Sequence, residues 1–217
     1  MNAREEILGR VRAATQDVTV ADPALDVPIA WTYGQPLATA DVLADFVEKV
    51  EDYRATVVRV PAVEVPRAVA EALVTLGATS AVLPSGVPAT WAQAVAEAGV
   101  QLFADEPQLD YATLNTVSAV VTAAAVGMAD SGTIALDHGD DQGRRVLSLL
   151  PDIHVCVVRA DQVVSDVPEG VARLSPGLRA GRPVTWLSGG SATSDIELSR
   201  VEGVHGPRTL WVVLAEG

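Results

Sequence analysis

Ala129-Asp130-Ser131-Gly132-Thr133 gathers a carboxylate, two hydroxyls and a glycine between a small apolar stretch at 121–128 and the apolar run Ile134-Ala135-Leu136. A carboxylate so placed serves as a general base or nucleophile, which makes Asp130 a catalytic candidate. Gly132 can take φ > 0 and admit a ligand to the backbone. Successive N–H groups in such a turn form an anion-binding nest. Ser131, Gly132 and Thr133 are therefore ligand-binding candidates. The plain alternative is a tight αβ connection whose side chains satisfy their own backbone.

A second stretch has the same character. Ser188-Gly189-Gly190-Ser191-Ala192-Thr193-Ser194-Asp195-Ile196-Glu197 follows the apolar run 184–187 and leads to Gly203-Val204-His205-Gly206-Pro207. Glycines and hydroxyls at the start of a short helix suit a phosphate or carboxylate. Gly189, Gly190, Ser191 and Thr193 are ligand-binding candidates, Glu197 a nucleophile or base, and His205 the best histidine for acid–base work. No lysine follows the glycines, so this is not a Walker A loop, and it is not GxGxxG either. The alternative is a Gly-rich surface loop.

Other chemistries find less support. His138, His154 and His205 show no zincin-like spacing, and no metal site is expected. His138 lies in a flexible-looking acidic loop at 137–143, and His154 in a strand pattern. Neither Ser131 nor Ser191 sits in a G-x-S-x-G elbow. Arg144 and Arg145 suit a carboxylate or phosphate, against a solvated helix face as the plainer reading. Lys49 is the sole lysine and falls in a surface helix pattern. Cys156 is the sole cysteine, so no intrachain disulfide forms, and one thiolate cannot hold a four-cysteine iron–sulfur cluster.

The elements that must position these residues read as α/β. Asn2 caps a helix to about residue 16, with Glu5 and Glu6 favourably placed in its first turn. Residues 17–36 carry Pro23, Pro28 and Pro36 and read as an extended linker. The expected division is a helix and Pro-containing linker over 1–36, acting as an N-terminal arm, and an α/β domain over 37–217. Val42, Leu43, Phe46, Val47 and Val50 form one helical face. Strands at 56–60, 80–83 and 100–103 alternate with helices at 66–76 and 88–98, which implies a mostly parallel sheet. Further strands are expected at 119–122, from 133, at 154–158, 184–187 and 210–214, with helices at 144–149 and 165–174. Ligands in such sheets sit beyond the carboxyl ends of the strands, where the loops after Thr122 and Leu187 are expected.

Composition agrees with this class. Of 217 residues 49% are hydrophobic and only 4% aromatic, and the formal charge is −13. A chain so acidic is a poor partner for nucleic acid or anionic lipid. Met1-Asn2-Ala3-Arg4-Glu5-Glu6 contains no apolar signal core, and no apolar run is long enough to span a bilayer, so a cytoplasmic setting is expected.

Three ordered motifs resemble the lactate-utilisation (LUD) domain family. Ala129-Asp130-Ser131-Gly132-Thr133 is similar to its A-[DE]-[ST]-G-T signature. Arg145 to His154 is similar to R-x-L-x-L-L-P-x-x-H, and the 188–197 and 203–207 stretches to its G-P-S-x-T-x-D-I-E and G-V-H-G-P ending. The match spans roughly 119–214. Gly190 stands where the family usually has Pro, and Ala192 where Arg is common. The resemblance implies a three-layer α/β/α fold like that of sugar-phosphate isomerases and CoA transferases. It implies a role in oxidising L-lactate to pyruvate as an accessory subunit beside iron–sulfur proteins, with no cofactor bound by this chain and the clusters in its partners. The alternative it leaves is a CoA-transferase-like enzyme or sensor, in which the two loops hold a phosphate, acyl-CoA or hydroxy acid.

Overall fold

The structure, a computed structural model, describes residues 2–19, 22, 35–193, 201–202 and 205–217. The chain divides into two compact units, Met1–Gln35 and Pro36–Gly217. Most of the Pro-containing stretch expected as a linker lies outside the described residues. In the first unit, helix α1 (Ala3–Ala14) begins with a capping box. The Glu5 N–H donates to the Asn2 side chain at 2.9 Å and the Asn2 N–H to the Glu5 carboxylate at 3.1 Å.

The second unit is built on six strands, all parallel. They are β1 (Thr56–Pro61), β2 (Ser80–Leu83), β3 (Gln101–Ala104), β4 (Ala119–Ala123), β7 (Ile153–Arg159) and β12 (Thr209–Glu216). Their order across the sheet is β1-β12-β7-β4-β2-β3. The Val-rich strands β4, β7 and β12 are central and buried on both faces, as parallel strands require.

Side-chain alternation divides the sheet into two faces. Val121, Val155 and Val213 face α3 (Val65–Thr75) and α4 (Ala89–Glu97), whose Val69, Leu73, Trp91 and Val95 complete that core. Cys156, Val158, Val212 and Leu214 face the other way, onto Phe46 and Val50 of α2 (Val42–Asp52) and onto Ile134 and Leu136. Asp41 caps α2 by accepting from the Leu43 and Ala44 N–H groups, both at 3.0 Å. Lys49 lies on the outside of α2, paired with Glu48 and Asp52.

A second, mixed sheet covers this face in the order β8-β5-β6-β9. Its strands are β5 (Val126–Met128), β6 (Thr133–Leu136), β8 (Val163–Val164) and β9 (Thr185–Leu187). Strands β5 and β6 are antiparallel, so the turn at 129–132 closes a β-hairpin rather than an αβ connection. Helix α5 (Tyr111–Leu114) is a single turn, and α6 (Val167–Arg179) packs on β5, where Gly170 makes room for Met128 Sδ. After Gly190 the chain enters β10 (Ala192–Thr193), paired with β11 (Val201–Glu202); the short helix expected after this loop falls on residues 194–200, outside the described residues.

Candidate functional site

His154 is the second residue of β7 and points to the face covered by the small sheet. It lies in register with Val120 of β4 and Leu210 of β12. Two residues further along, Thr122 faces Cys156. His154 Nε2 is 2.8 Å from Thr122 Oγ1, and Thr122 Oγ1 is 3.8 Å from Cys156 Sγ. All three residues are buried, His154 with 1% of its surface exposed. Burial pushes the His154 imidazole down to about 4 and the Cys156 thiol up to about 12. The ring is therefore neutral and the thiol protonated at pH 7. His154 Nδ1 is buried with no hydrogen-bond partner among the described residues.

That imidazole lines a cavity of about 240 Å³. Ser148, Leu149 and Leu210 line it as well, together with residues 188–191 and 205–207. Two of the three motif-bearing segments thus converge here: the loops at 188–191 and 205–207 meet Ser148, Leu149 and His154 from the end of the 145–154 motif. The glycines there make backbone contacts. A Cβ on Gly190 would lie 2.2 Å from the Arg208 carbonyl oxygen, and one on Gly189, at φ +80°, 2.5 Å from that of Tyr53. The Ser191 N–H donates to the Pro207 carbonyl at 2.7 Å, and the His205 N–H to Ser191 Oγ at 3.0 Å. These contacts hold the 188–191 loop against the entry to β12. The cavity therefore opens beside the amino ends of β7 and β12, and the loop after Leu187 is not at the carboxyl ends where it was expected.

The Asp130 turn stands apart from this cavity. Asp130 borders a separate depression with Thr39, Asp45, Glu48, Lys49 and Ser165. Its N–H donates to the Ser165 carbonyl at 3.1 Å. Gly132 has φ +59°, and a Cβ there would meet the Lys49 backbone at 2.6 Å, so α2 occupies the room expected for a ligand. Ser131 Oγ is buried without a partner among the described residues. Thr133 alone reaches towards the cavity, with Oγ1 2.8 Å from Ser188 Oγ. Thr193 lies in β10, and Glu197 lies outside the described residues.

Arg144 does not line the cavity. It grips Asp105 through Nε at 2.6 Å and Nη2 at 2.8 Å and also donates to the Leu109 carbonyl oxygen. The guanidinium holds the Asp105 carboxyl below its ordinary range. The acidic loop around His138 is tied down rather than loose. Gln142 Oε1 accepts from the Asp137 and His138 N–H groups, and both His138 ring nitrogens are bonded, to the Gly143 carbonyl at 3.0 Å and Thr185 Oγ1 at 2.8 Å. Burial lowers the His138 pKa. Among the described residues no three His, Cys, Asp or Glu side chains assemble as metal ligands, and no helix is long and apolar enough to cross a membrane.

His154, Thr122 and Ser148 are the residues that loop chemistry alone passes over. Their signal was a histidine inside the Val-rich strand 153–158 beside a strand carrying Thr122: buried polar groups in central strands need partners.

A six-stranded parallel sheet, a mixed sheet on one face and a cavity at their junction define an α/β protein with a built pocket. Residues 43–215 match the LUD domain, and the chain belongs to that family. It is 51% identical over 179 residues to lactate utilization protein C of Deinococcus radiodurans, covering 82% of each chain. It is 33% identical over 101 residues to lactate utilization protein C of Halalkalibacterium halodurans, covering 44% of each. The crystal structure of a DUF162 family protein from Deinococcus radiodurans superposes with a TM-score of 0.70 at 43% identity, covering 84% of this chain and 100% of that one.

Proposed function

We propose that this chain is a component of L-lactate utilisation, acting in the oxidation of L-lactate to pyruvate as an accessory subunit beside iron–sulfur proteins. The carrying observation is the 51% identity to a lactate utilization protein C over 82% of both chains. Oxidising lactate releases two electrons and two protons that a partner must accept. Cys156, the only cysteine, is buried and its thiol is held in the protonated form, so it is a poor metal ligand. The clusters are accordingly assigned to the partners and no cofactor to this chain. The net charge of −13 supports a protein that binds neither nucleic acid nor anionic membrane, and a cytoplasmic setting belongs to the same reading. Deleting the gene in its source organism tests the role: growth on L-lactate as sole carbon source stops and returns with the intact gene. Unimpaired growth contradicts it.

A second reading, a ligand-binding enzyme or sensor of the three-layer sugar-phosphate isomerase and CoA-transferase kind, is favoured by one observation. The His154 cavity is walled by the hydroxyl- and glycine-bearing loops. Among the described residues no carboxylate lines it and Asp130 borders a separate depression, so its ligand-binding half has more support than a covalent step through Asp130; Glu197 lies outside the described residues.

A further inference from the structure

The helix layer opposite the small sheet carries an open apolar groove. Helices α3 and α4 each return from the carboxyl end of one parallel strand to the amino end of another, so they run side by side in the same direction. Between them lies a groove of about 640 Å³. Pro66, Ala70 and Val74 line it from α3, and Thr90, Ala94 and Ala98 from α4 and its end, each set following one helix face. Val63, just before α3, and Val74 are 84% and 56% exposed, and Val63 is the most exposed large hydrophobic among the described residues. Apolar side chains gathered in one open groove mark an interaction site.

The rims set the charge of what fits. Glu71 stands on the α3 side and Glu97 on the α4 side. Glu97 accepts from Gln93 Nε2 at 2.8 Å, which leaves its charge in place. Arg67 is the one cation lining the groove among the described residues; its guanidinium is bonded to Glu64 and lies 3.9 Å from Glu71. One guanidinium thus stands against three carboxylates, on a chain of net charge −13. A second copy would bring a like-charged rim against this one, which is repulsive, whereas an occupant with basic flanks is attracted. Helix α3 has 11 residues and is about 16 Å long, so the groove matches about three turns of a third helix. Such a helix seats apolar anchors at i, i+4 and i+7.

We propose that the α3–α4 groove is the docking site for a partner subunit, which seats there an amphipathic helix whose apolar stripe is flanked by lysine or arginine. The proposal rests on the accessory-subunit reading for the existence of a partner and adds the face it uses and the chemistry that recognises it. Val63 and Val74 supply the apolar contact, and Glu71 and Glu97 select the basic flanks. The groove lies on the face away from the small sheet, so docking there leaves the His154 cavity uncovered.

The test uses the full chain and two labelled synthetic helices with leucine at i, i+4 and i+7, one flanked by lysine and one by glutamate, followed by fluorescence anisotropy. The lysine peptide should bind saturably and the glutamate peptide at least about tenfold more weakly. The double variant Val63→Ser, Val74→Ser, exposed enough to fold, should bind the lysine peptide at least about tenfold more weakly than the parent. Glu71→Lys with Glu97→Lys should reverse the order of the two peptides. Equal binding of both peptides, or of parent and valine variant, overturns the proposal. The tagged parent and valine variant are then purified from lactate-grown cells. Iron–sulfur proteins should come with the parent and be lost from the variant. Equal retention overturns the proposal and leaves the accessory-subunit reading standing. Peptide binding with no iron–sulfur protein on the parent contradicts that reading and leaves the chemistry of the groove standing. A dimeric parent made monomeric by the valine substitutions would show that a second copy fills the groove, and a lowered melting temperature that the chain itself covers it; either overturns the proposal.

Discussion

His154 of β7 and Thr122 of β4 face the same side of the central sheet with Nε2 and Oγ1 2.8 Å apart. Among the described residues this bond is the one hydrogen bond that either His154 ring nitrogen makes. Replacing Thr122 by the near-isosteric valine removes the partner of Nε2 and leaves that nitrogen unpaired in a buried setting. Thr122→Val should cost about 1–3 kcal/mol in urea unfolding and should move the ring proton between the two nitrogens in the ¹⁵N spectrum. A variant as stable as the parent, with an unchanged spectrum, would show that the bond does not position the ring.

Acid should weaken the fold through the same residue. The His154 pKa is about 4 in the folded chain against an ordinary 6.5. Between these values the unfolded chain binds the extra proton, so this contribution is fully present above pH 6.5 and is lost as the pH falls towards 4. The shift corresponds to about 3 kcal/mol. His138, also lowered by burial, acts in the same direction. Unfolding free energies measured from pH 7.5 to 4.5 should fall steeply in the parent and less steeply in His154→Gln. Parallel curves would contradict this assignment.

Gly132 carries a prediction opposite to the one its turn first suggests. Room beside a glycine in a polar turn reads as room for a ligand, yet the Lys49 backbone fills it. Gly132→Val combines a left-handed φ with a clash against α2 and should destabilise the domain by at least about 2 kcal/mol. Thermal unfolding checks this directly, and an unchanged midpoint would mean that α2 shifts freely.

Arg144 and Asp105 should behave as a bidentate structural clamp. Arg144→Lys keeps the charge but loses the fork, and Arg144→Ala leaves Asp105 unpaired, with an expected loss of about 2 kcal/mol. Hydrogen exchange should quicken at the Leu109 amide, which donates to Asp105 Oδ1 at 3.0 Å. Unaltered exchange would remove the clamp from the account.

The alternation of β1, α3, β2, α4 and β3 was legible because each turn carries its own signal: Pro66 near a helix start, Gly77 and Gly99 after helix ends. Strand β5 was not. Val126-Gly127-Met128 is too short to show a period, and Gly127 is there because the Phe46 ring lies 2.9 Å from where its Cβ would be. The 188–191 and 205–207 loops stood out as candidates because glycine and hydroxyl clusters are local features, and they line one cavity in the structure. His154 was not, because its importance comes from Thr122 on a strand that is its neighbour only after folding. Asp130 illustrates the reverse: its residue types suit chemistry, but the hairpin carries it to a separate depression.

The most direct test of the proposed role is to purify the tagged chain anaerobically from lactate-grown cells of its source organism and to assay lactate-dependent dye reduction. The account predicts co-purifying iron–sulfur proteins and an activity that collapses when this chain is depleted and recovers when it is restored. Full activity in fractions lacking the chain, with no iron–sulfur protein bound to it, would contradict the account.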